Sequence, residues 1–260
     1  MQRAHGTVRA SFKLRGLATV IDRLYQQGSA KLRLPRTTGC EAVLLNTAGG
    51  VTGGDLFRVA IDAAPGTALT VTTQTAERLY RSTGADGRID NALNIGAGAR
   101  VDWLPQETIM FEGARLRRTL SIDMAEDATL LAIEPLVLGR AAMGEAVTRG
   151  FLSDAWRVRR GGALVYADAA RLSGDIRVAL APTAATGGAI ASAALLYVAP
   201  DAADRLEALR ATLGRNGGAS AWNGLIAARI VADSGRMLRR TLTAAVGTLR
   251  SEPLPRVWSL

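Results

Sequence analysis

Acidic residues inside predicted strands are the first candidates for chemistry in this sequence. Glu134 interrupts the apolar run Leu130 to Leu138. Because a buried carboxylate is costly without a partner, Glu134 either pairs with a nearby arginine such as Arg140 or lines a wet internal passage. Two carboxylates could also act in acid/base catalysis, but the sequence places no two of them at a defined separation. Similar acidic positions are Glu107, Glu112 and Glu145.

A second candidate is the glycine-rich segment from Asn46 to Asp55, NTAGGVTGGD. Backbone N–H groups of such a segment can bind phosphate. However, no Lys-Ser/Thr pair follows the last glycine, and Asp55 precedes another predicted strand, Leu56 to Ala63, rather than a helix. Its negative charge would also repel phosphate. We therefore expect a tight β-turn, at which Asp55 acts either as a hydrogen-bond acceptor or as a weak metal ligand.

The sequence offers few residues for nucleophilic catalysis or for a Cys/His metal site. It has one cysteine, Cys40, one histidine, His5, and no Gly-x-Ser-x-Gly motif. Cys40 precedes the apolar run Ala42 to Leu45, and we expect Cys40 to act there as a small buried hydrophobic residue rather than as a reactive thiol. We assign no role to Cys40 or His5. The chain is not expected to be an enzyme, and any metal site would use oxygen ligands.

The net charge of +9 raises the question of nucleic-acid binding. The only lysines are Lys13 and Lys31, so nearly all positive charge is arginine, spread along the chain rather than gathered in one tract. The densest groups, Arg115/Arg117/Arg118 and Arg157/Arg159/Arg160, alternate with apolar residues as the solvated faces of strands do. We therefore expect no nucleic-acid partner, and a basic surface that pairs with acidic proteins.

The composition predicts a globular, cytoplasmic protein. Hydrophobic residues make up 48% of the chain and charged residues 21%, which is typical of folded proteins. No run approaches the roughly 18 apolar residues of a membrane span. The first sixteen residues lack the apolar stretch of a signal peptide.

A weak internal repeat predicts how these residues are positioned. Four apolar residues each follow another apolar residue by eight positions, with Gly, Pro, Asp or Glu between them. This pattern indicates strand, tight turn, strand, recurring about every thirty residues. We interpret the units as β-hairpins stacked in a solenoid or layered sheet around one core. The pairs are Ile61/Leu69, Leu93/Val101, Ile122/Leu130 and Trp156/Leu164.

Helical patterns occur only in the C-terminal part. Pro200-Asp201 can begin a helix that carries Leu206, Leu209 and Leu213 and stops at Gly214. A second amphipathic helix is predicted from Arg236 to Leu249, and a strand from Leu225 to Ala232. We expect both helices to cover a sheet. Because no linker or low-complexity tract divides the chain, we predict a single domain over residues 1–260.

The chain resembles the UreD (also called UreH) family of urease accessory proteins over nearly its whole length. Five stretches carry the resemblance, and their order and separations make it specific. They are LLNTAGGVTGGD (44–55), TVTTQTAERLYRS (70–82), WLPQETIMFEGARLRR (103–118), LLAIEPLVLGRAAMGE (130–145) and PRVW (255–258).

This resemblance implies a non-enzymatic maturation factor with a mainly β, solenoid-like fold and two helices. It implies a complex with UreF and the GTPase UreG that binds apo-urease, and it allows a dimer of that complex. It also implies that nickel crosses a water-filled internal passage without a tightly bound cofactor. Candidate passage residues are Asp55, Gln74, Thr75, Glu107, Glu134 and Glu145. Two alternatives stay open, a nucleic-acid-binding module and a carbohydrate- or polyanion-binding β-solenoid.

Overall fold

The computed structural model describes residues 3–140 and 143–259, which form two β-sheets packed face to face. The first sheet has the order β14 (Ala163–Asp175), β13 (Arg149–Arg160), β11 (Arg115–Met124), β8 (Gly87–Ile95), β5 (Leu56–Ala63), β1 (His5–Arg15) and β2 (Ala18–Gly28). The second sheet has the order β16 (Gly217–Trp222), β17 (Leu225–Ala232), β15 (Ala191–Val198), β12 (Thr129–Leu138), β9 (Arg100–Leu104), β6 (Ala68–Thr73), β4 (Cys40–Asn46) and β3 (Ala30–Arg33). Two short strands extend it, β10 (Thr108–Met110) beside β12 and β7 (Glu77–Leu79) beside β10.

In the middle of the chain, the strands of each unit alternate between the two sheets. The chain passes from β5 in the first sheet to β6 in the second, and it repeats this step from β8 to β9 and from β11 to β12. Strands of successive units pair in parallel, as β5 does with β8 and β8 with β11. Strands β1, β5 and β11 turn alternate side chains toward the space between the sheets, as the burial of Leu116, Leu120 and Ile122 in β11 shows. The mainly β, solenoid-like prediction is therefore confirmed.

The pairing inside the predicted units needs correction. Three of the four strand–turn–strand units are arches whose two strands lie in opposite sheets, and only the Trp156/Leu164 unit is a hairpin, formed by β13 and β14. In the three arches the eight-residue apolar spacing arises because both strands of a unit contribute to one core, whereas in the hairpin Trp156 is buried and Leu164 is 53% exposed. Sequence periodicity records which side chains face the core, and it does not record which strand accepts the hydrogen bonds.

The predicted turns stack on one another at the end of the arches. The Gly66 amide donates to the Ala97 carbonyl, and the Gly96 amide donates to the Ala63 carbonyl, each at 2.8 Å. A Cβ atom at Gly96 would lie 2.7 Å from the backbone nitrogen of Pro65. The turn of one unit therefore packs directly against the backbone of the unit before it.

We expect Gly96→Ala to lower the free energy of unfolding by about 1–3 kcal/mol, because the added methyl group collides with backbone that cannot rotate away. Urea unfolding measures this change. Gly39→Ala is the matched control: no atom lies within 4 Å of a Cβ there, and we expect a change below about 0.5 kcal/mol. A Gly96→Ala protein as stable as the wild type would contradict the close stacking of the turns.

Helices cover the outer face of the second sheet, as expected. α2 (Ala202–Leu213) and α3 (Gly235–Leu249) confirm the two predicted helices, and β17 has the predicted bounds. Their buried leucines pack with Leu131, Ile133 and Leu195 in a core separate from the one between the sheets. The sequence interpretation missed a short helix, α1 (Ile176–Leu180), whose N-cap is Asp175. Within residues 3–140 and 143–259, no helix is long and apolar enough to cross a membrane.

Candidate functional site

A cavity of about 170 Å³ lies between the two sheets. Inward-facing residues of β5, β8 and β11 form one wall, and residues of β6, β9 and β12 form the other. The segments after β6 and β9, together with residues of β3, β4, β7 and β10, also line it. The polar side chains among its lining residues are Lys31, Asn46, Thr73, Gln74, Thr75, Glu77, Arg78, Asn91, Gln106, Thr108, Arg118 and Glu134.

Glu134 and Arg118 form a buried ion pair in the cavity wall. Their side chains are 2% and 5% exposed, and Arg118 Nη1 contacts Glu134 Oε2. The indole Nε1 of Trp103 donates to Glu134 Oε1 at 3.1 Å. The same guanidinium binds Asp154 through Nε and Nη2, at 3.1 and 2.5 Å. Arg118 therefore bridges two carboxylates, one from each sheet.

This geometry corrects the expected partner of Glu134, which is Arg118 and not Arg140. Arg140 lies just beyond β12, where its Nε donates to Glu145 at 2.8 Å. Burial and the nearby charge of Asp154 raise the pKa of Glu134, against the opposing effect of Arg118. Burial alone would lower the pKa of Arg118, but Asp154 and Glu134 raise it. The arginine thus stays charged, and the cluster remains an ionic contact between the sheets.

Glu77 is a second carboxylate in the cavity wall, and the sequence interpretation missed it. It begins β7, is partly buried, and accepts hydrogen bonds from Asn46 Nδ2 at 3.1 and 3.2 Å. Among the described residues, no arginine or lysine nitrogen lies within ion-pair distance of it. Burial raises its pKa to about 7. Its position two residues after Gln74-Thr75, in the same motif, is the signal that could have identified it.

Glu77 should make stability depend on pH. Its pKa is about 7 in the folded chain against an ordinary value of 4.5, so the folded state binds more protons than the unfolded state between these values. Stability from this group is present at low pH and falls as the pH rises toward 7, by at most about 1.4 kcal/mol per pH unit. We expect Glu77→Gln, compared with the wild type by urea unfolding, to gain relative stability from pH 5 to pH 8. A difference that is the same at both pH values would contradict this burial of the carboxylate.

Three of the other sequence candidates have different surroundings. Gln74 and Thr75 line the cavity on its exposed side. Asp55 is buried in its turn, where its two oxygens accept from the amides of Ala4 and Thr52, each at 2.8 Å. Asp55 therefore connects the glycine-rich segment to the start of the described chain and does not line the cavity.

The remaining candidates, Glu145 and Glu107, bind arginines outside the cavity. Glu145 pairs with Arg140. Glu107 accepts hydrogen bonds from Nε and Nη2 of Arg239 at 2.8 and 2.7 Å. The same Nη2 also donates to Gln106 Oε1 at 2.7 Å. Since Gln106 lines the cavity, this contact fastens α3 to the cavity wall.

Groups suited to tight metal binding or to thiol chemistry are not brought together here. In the part of the chain that the structure describes, no three Asp, Glu, His or Cys side chains are grouped to hold a metal ion. Burial raises the pKa of the Cys40 thiol to about 11, so the thiolate is disfavoured. His5 is exposed at the start of β1.

Comparison with known proteins identifies the family. The profile of the UreD urease accessory protein matches residues 4–259. "Urease accessory protein UreD" of Chelativorans sp. strain BNC1 is 49% identical over 265 residues, which cover 100% of this chain and 95% of the relative. That of Xanthobacter autotrophicus is 49% identical over 99% of this chain and 91% of the relative, and that of Rhizobium johnstonii 46% over 100% and 96%. The chain belongs to the UreD family of urease accessory proteins, which are maturation factors rather than catalytic enzymes.

Proposed function

We propose that this chain assists the maturation of urease as a scaffold that carries nickel, as cargo, through the cavity between its sheets. In this proposal it acts in the cytoplasm as a single domain, in a complex with UreF and the GTPase UreG that binds apo-urease and can dimerise. Family membership supports the role in urease maturation. The carboxylates and amides of the cavity support the passage of a divalent cation.

The observation that carries the proposal is the carboxylate of Glu77 in the cavity wall. Its partner is the neutral amide of Asn46, so among the described residues no arginine or lysine competes with an ion for its oxygens. Glu134, in contrast, is already neutralised by Arg118, and a cation near it would have to compete with a guanidinium. We therefore assign Glu77 the main attraction for nickel, and we assign Glu134 mainly to holding the two sheets at a fixed separation.

The other polar residues can replace part of the water shell of nickel. Gln74 and Thr75 carry an amide and a hydroxyl oxygen at the exposed side of the cavity, whereas the side-chain oxygen of Gln106 already accepts from Arg239. Hard oxygen ligands in small number hold nickel weakly, and weak binding allows an ion to move on. Asp55, Glu107 and Glu145 bind amides or arginines around the cavity, so in this proposal they contact nickel only where those contacts open.

Co-production of apo-urease with UreF and UreG, with the chain present or omitted, tests the proposed function. We expect urease purified without the chain to contain little nickel and to have little activity. A tagged chain should also retain UreF, UreG and urease in a pull-down. Fully loaded urease in the absence of the chain would refute the maturation role, and a pull-down that contains none of these proteins would refute the scaffold.

A further inference from the structure

The outward face of the first sheet carries arginines at one end of its strands. Arg88, Arg117 and Arg171 lie in one row across β8, β11 and β14, with Ser153 of β13 between the last two. Neighbouring strands are about 4.8 Å apart, so the row is a compact line of positive charge. The Arg88 and Arg117 side chains are 60% and 57% exposed.

Arginines of this face also contact an aromatic ring. Phe151 lies next to Arg115 in the β11–β13 pair, and although its side chain points outward it is buried. Its cover consists of guanidinium groups: Arg115, Arg117 and Arg171 lie 4.9, 4.8 and 5.7 Å from the ring centroid. These distances are those of cation–π contacts, which hold the guanidiniums at the ring.

The positive charge of this face exceeds the negative charge that balances it. Asp86 accepts from Nε of both Arg115 and Arg117, at 2.8 and 2.6 Å. Asp90 pairs with Arg88 at 2.9 Å, and Arg58 lies 4.0 Å from it. Arg171 has no carboxylate partner among the described residues. Five guanidiniums thus share two carboxylates, an arrangement that an additional carboxylate would stabilise.

From these observations we infer that the arginine face is a docking surface for a carboxylate-rich surface of a partner protein. This face is formed by Arg58, Arg88, Arg115, Arg117 and Arg171, the last three in contact with Phe151. Arginine and aromatic side chains are enriched where protein interfaces bind strongly. Rigid guanidiniums also match carboxylates in two-point hydrogen bonding.

The rest of the sheet favours an acidic protein over a nucleic acid. At the opposite ends of β5 and β11, Asp62 and Asp123 lie on the same outward face, on either side of Asn94. A long polyanion that followed β5, β8 or β11 would meet these carboxylates and be repelled, and Arg157 and Arg159 offset this only along β13. An acidic protein patch that covers only the arginine row would not.

Fluorescence anisotropy with a labelled deca-glutamate peptide, at low and physiological salt, tests the inference. We expect the wild-type chain to bind the peptide and the triple variant Arg88→Gln/Arg117→Gln/Arg171→Gln to bind it about tenfold more weakly, as three exposed ion pairs are removed. The matched control, Arg9→Gln/Arg157→Gln/Arg159→Gln, removes the same charge from the same sheet and should lose less than about threefold. Urea unfolding confirms that each variant is folded.

The double variant Arg117→Lys/Arg171→Lys separates recognition by the guanidinium group from attraction by charge alone. Its binding of the peptide also tests the inference if the triple variant does not fold. Lysine keeps the charge but neither stacks on Phe151 nor offers a planar fork, so we expect clearly weaker binding. Equal losses in the two triple variants, undiminished binding by the lysine variant, or no binding by the wild type would overturn the inference. Tighter binding of a ten-phosphate single-stranded DNA at the arginine face would overturn it in favour of a nucleic acid.

Discussion

Replacing Glu134 by alanine should lower the free energy of unfolding by about 3–5 kcal/mol, the usual cost of breaking a buried ion pair. The substitution leaves the 5%-exposed guanidinium of Arg118 with Asp154 as its one remaining carboxylate. It also removes the acceptor of the buried Trp103 indole. Because Arg118 comes from one sheet and Glu134 from the other, the loss weakens the contact between the sheets. Urea unfolding of the purified chain measures it.

Two further variants identify the cause of this loss. Glu134→Gln keeps the shape and an oxygen acceptor for Trp103, and we expect a smaller cost because only the charge is lost. Glu207→Ala removes a glutamate whose side chain is 80% exposed, and we expect a change below about 0.5 kcal/mol. A Glu134→Ala protein within 1 kcal/mol of the wild type, on the scale of a surface pair, would refute the structural role of the ion pair.

Local patterns in the sequence were sufficient for the individual elements. Strand β17 and the two C-terminal helices follow from apolar spacing and from residues that begin or end helices, and all of these act within a few residues. The family followed from the order of motifs along the chain, and the profile match over residues 4–259 confirms it. The turns at Ala64-Pro65-Gly66 and Gly96-Ala97-Gly98 were likewise readable from residue type.

Contacts between distant strands could not be derived in this way. Arg140 is only six positions from Glu134 in the sequence. The actual partner of Glu134 is Arg118, which faces Glu134 from the other sheet. Choosing between them requires knowledge that β11 and β12 form an arch rather than a hairpin. Glu77 was missed for a related reason, since it lies in a short strand whose environment depends on Asn46, 31 residues earlier. Apolar periodicity carries no information about such pairs.

Filling the cavity should interrupt nickel transfer without disturbing the fold. Thr75 lines the cavity but is exposed. A tryptophan side chain at this position can therefore occupy part of the passage without displacing the packed residues of the core. We expect Thr75→Trp to leave the pull-down of UreF, UreG and apo-urease unchanged and to reduce nickel transfer about tenfold or more, as a narrowed pore would. Thr83→Trp places the same side chain at an exposed position outside the cavity and should transfer nickel normally.

The most direct test of the passage is the nickel content per active site of urease matured with Thr75→Trp, measured by elemental analysis beside the Thr83→Trp and wild-type preparations. The proposed passage predicts urease that is bound by the intact complex but nearly free of nickel for Thr75→Trp alone. Urease fully loaded with nickel by a complex that carries Thr75→Trp would contradict it.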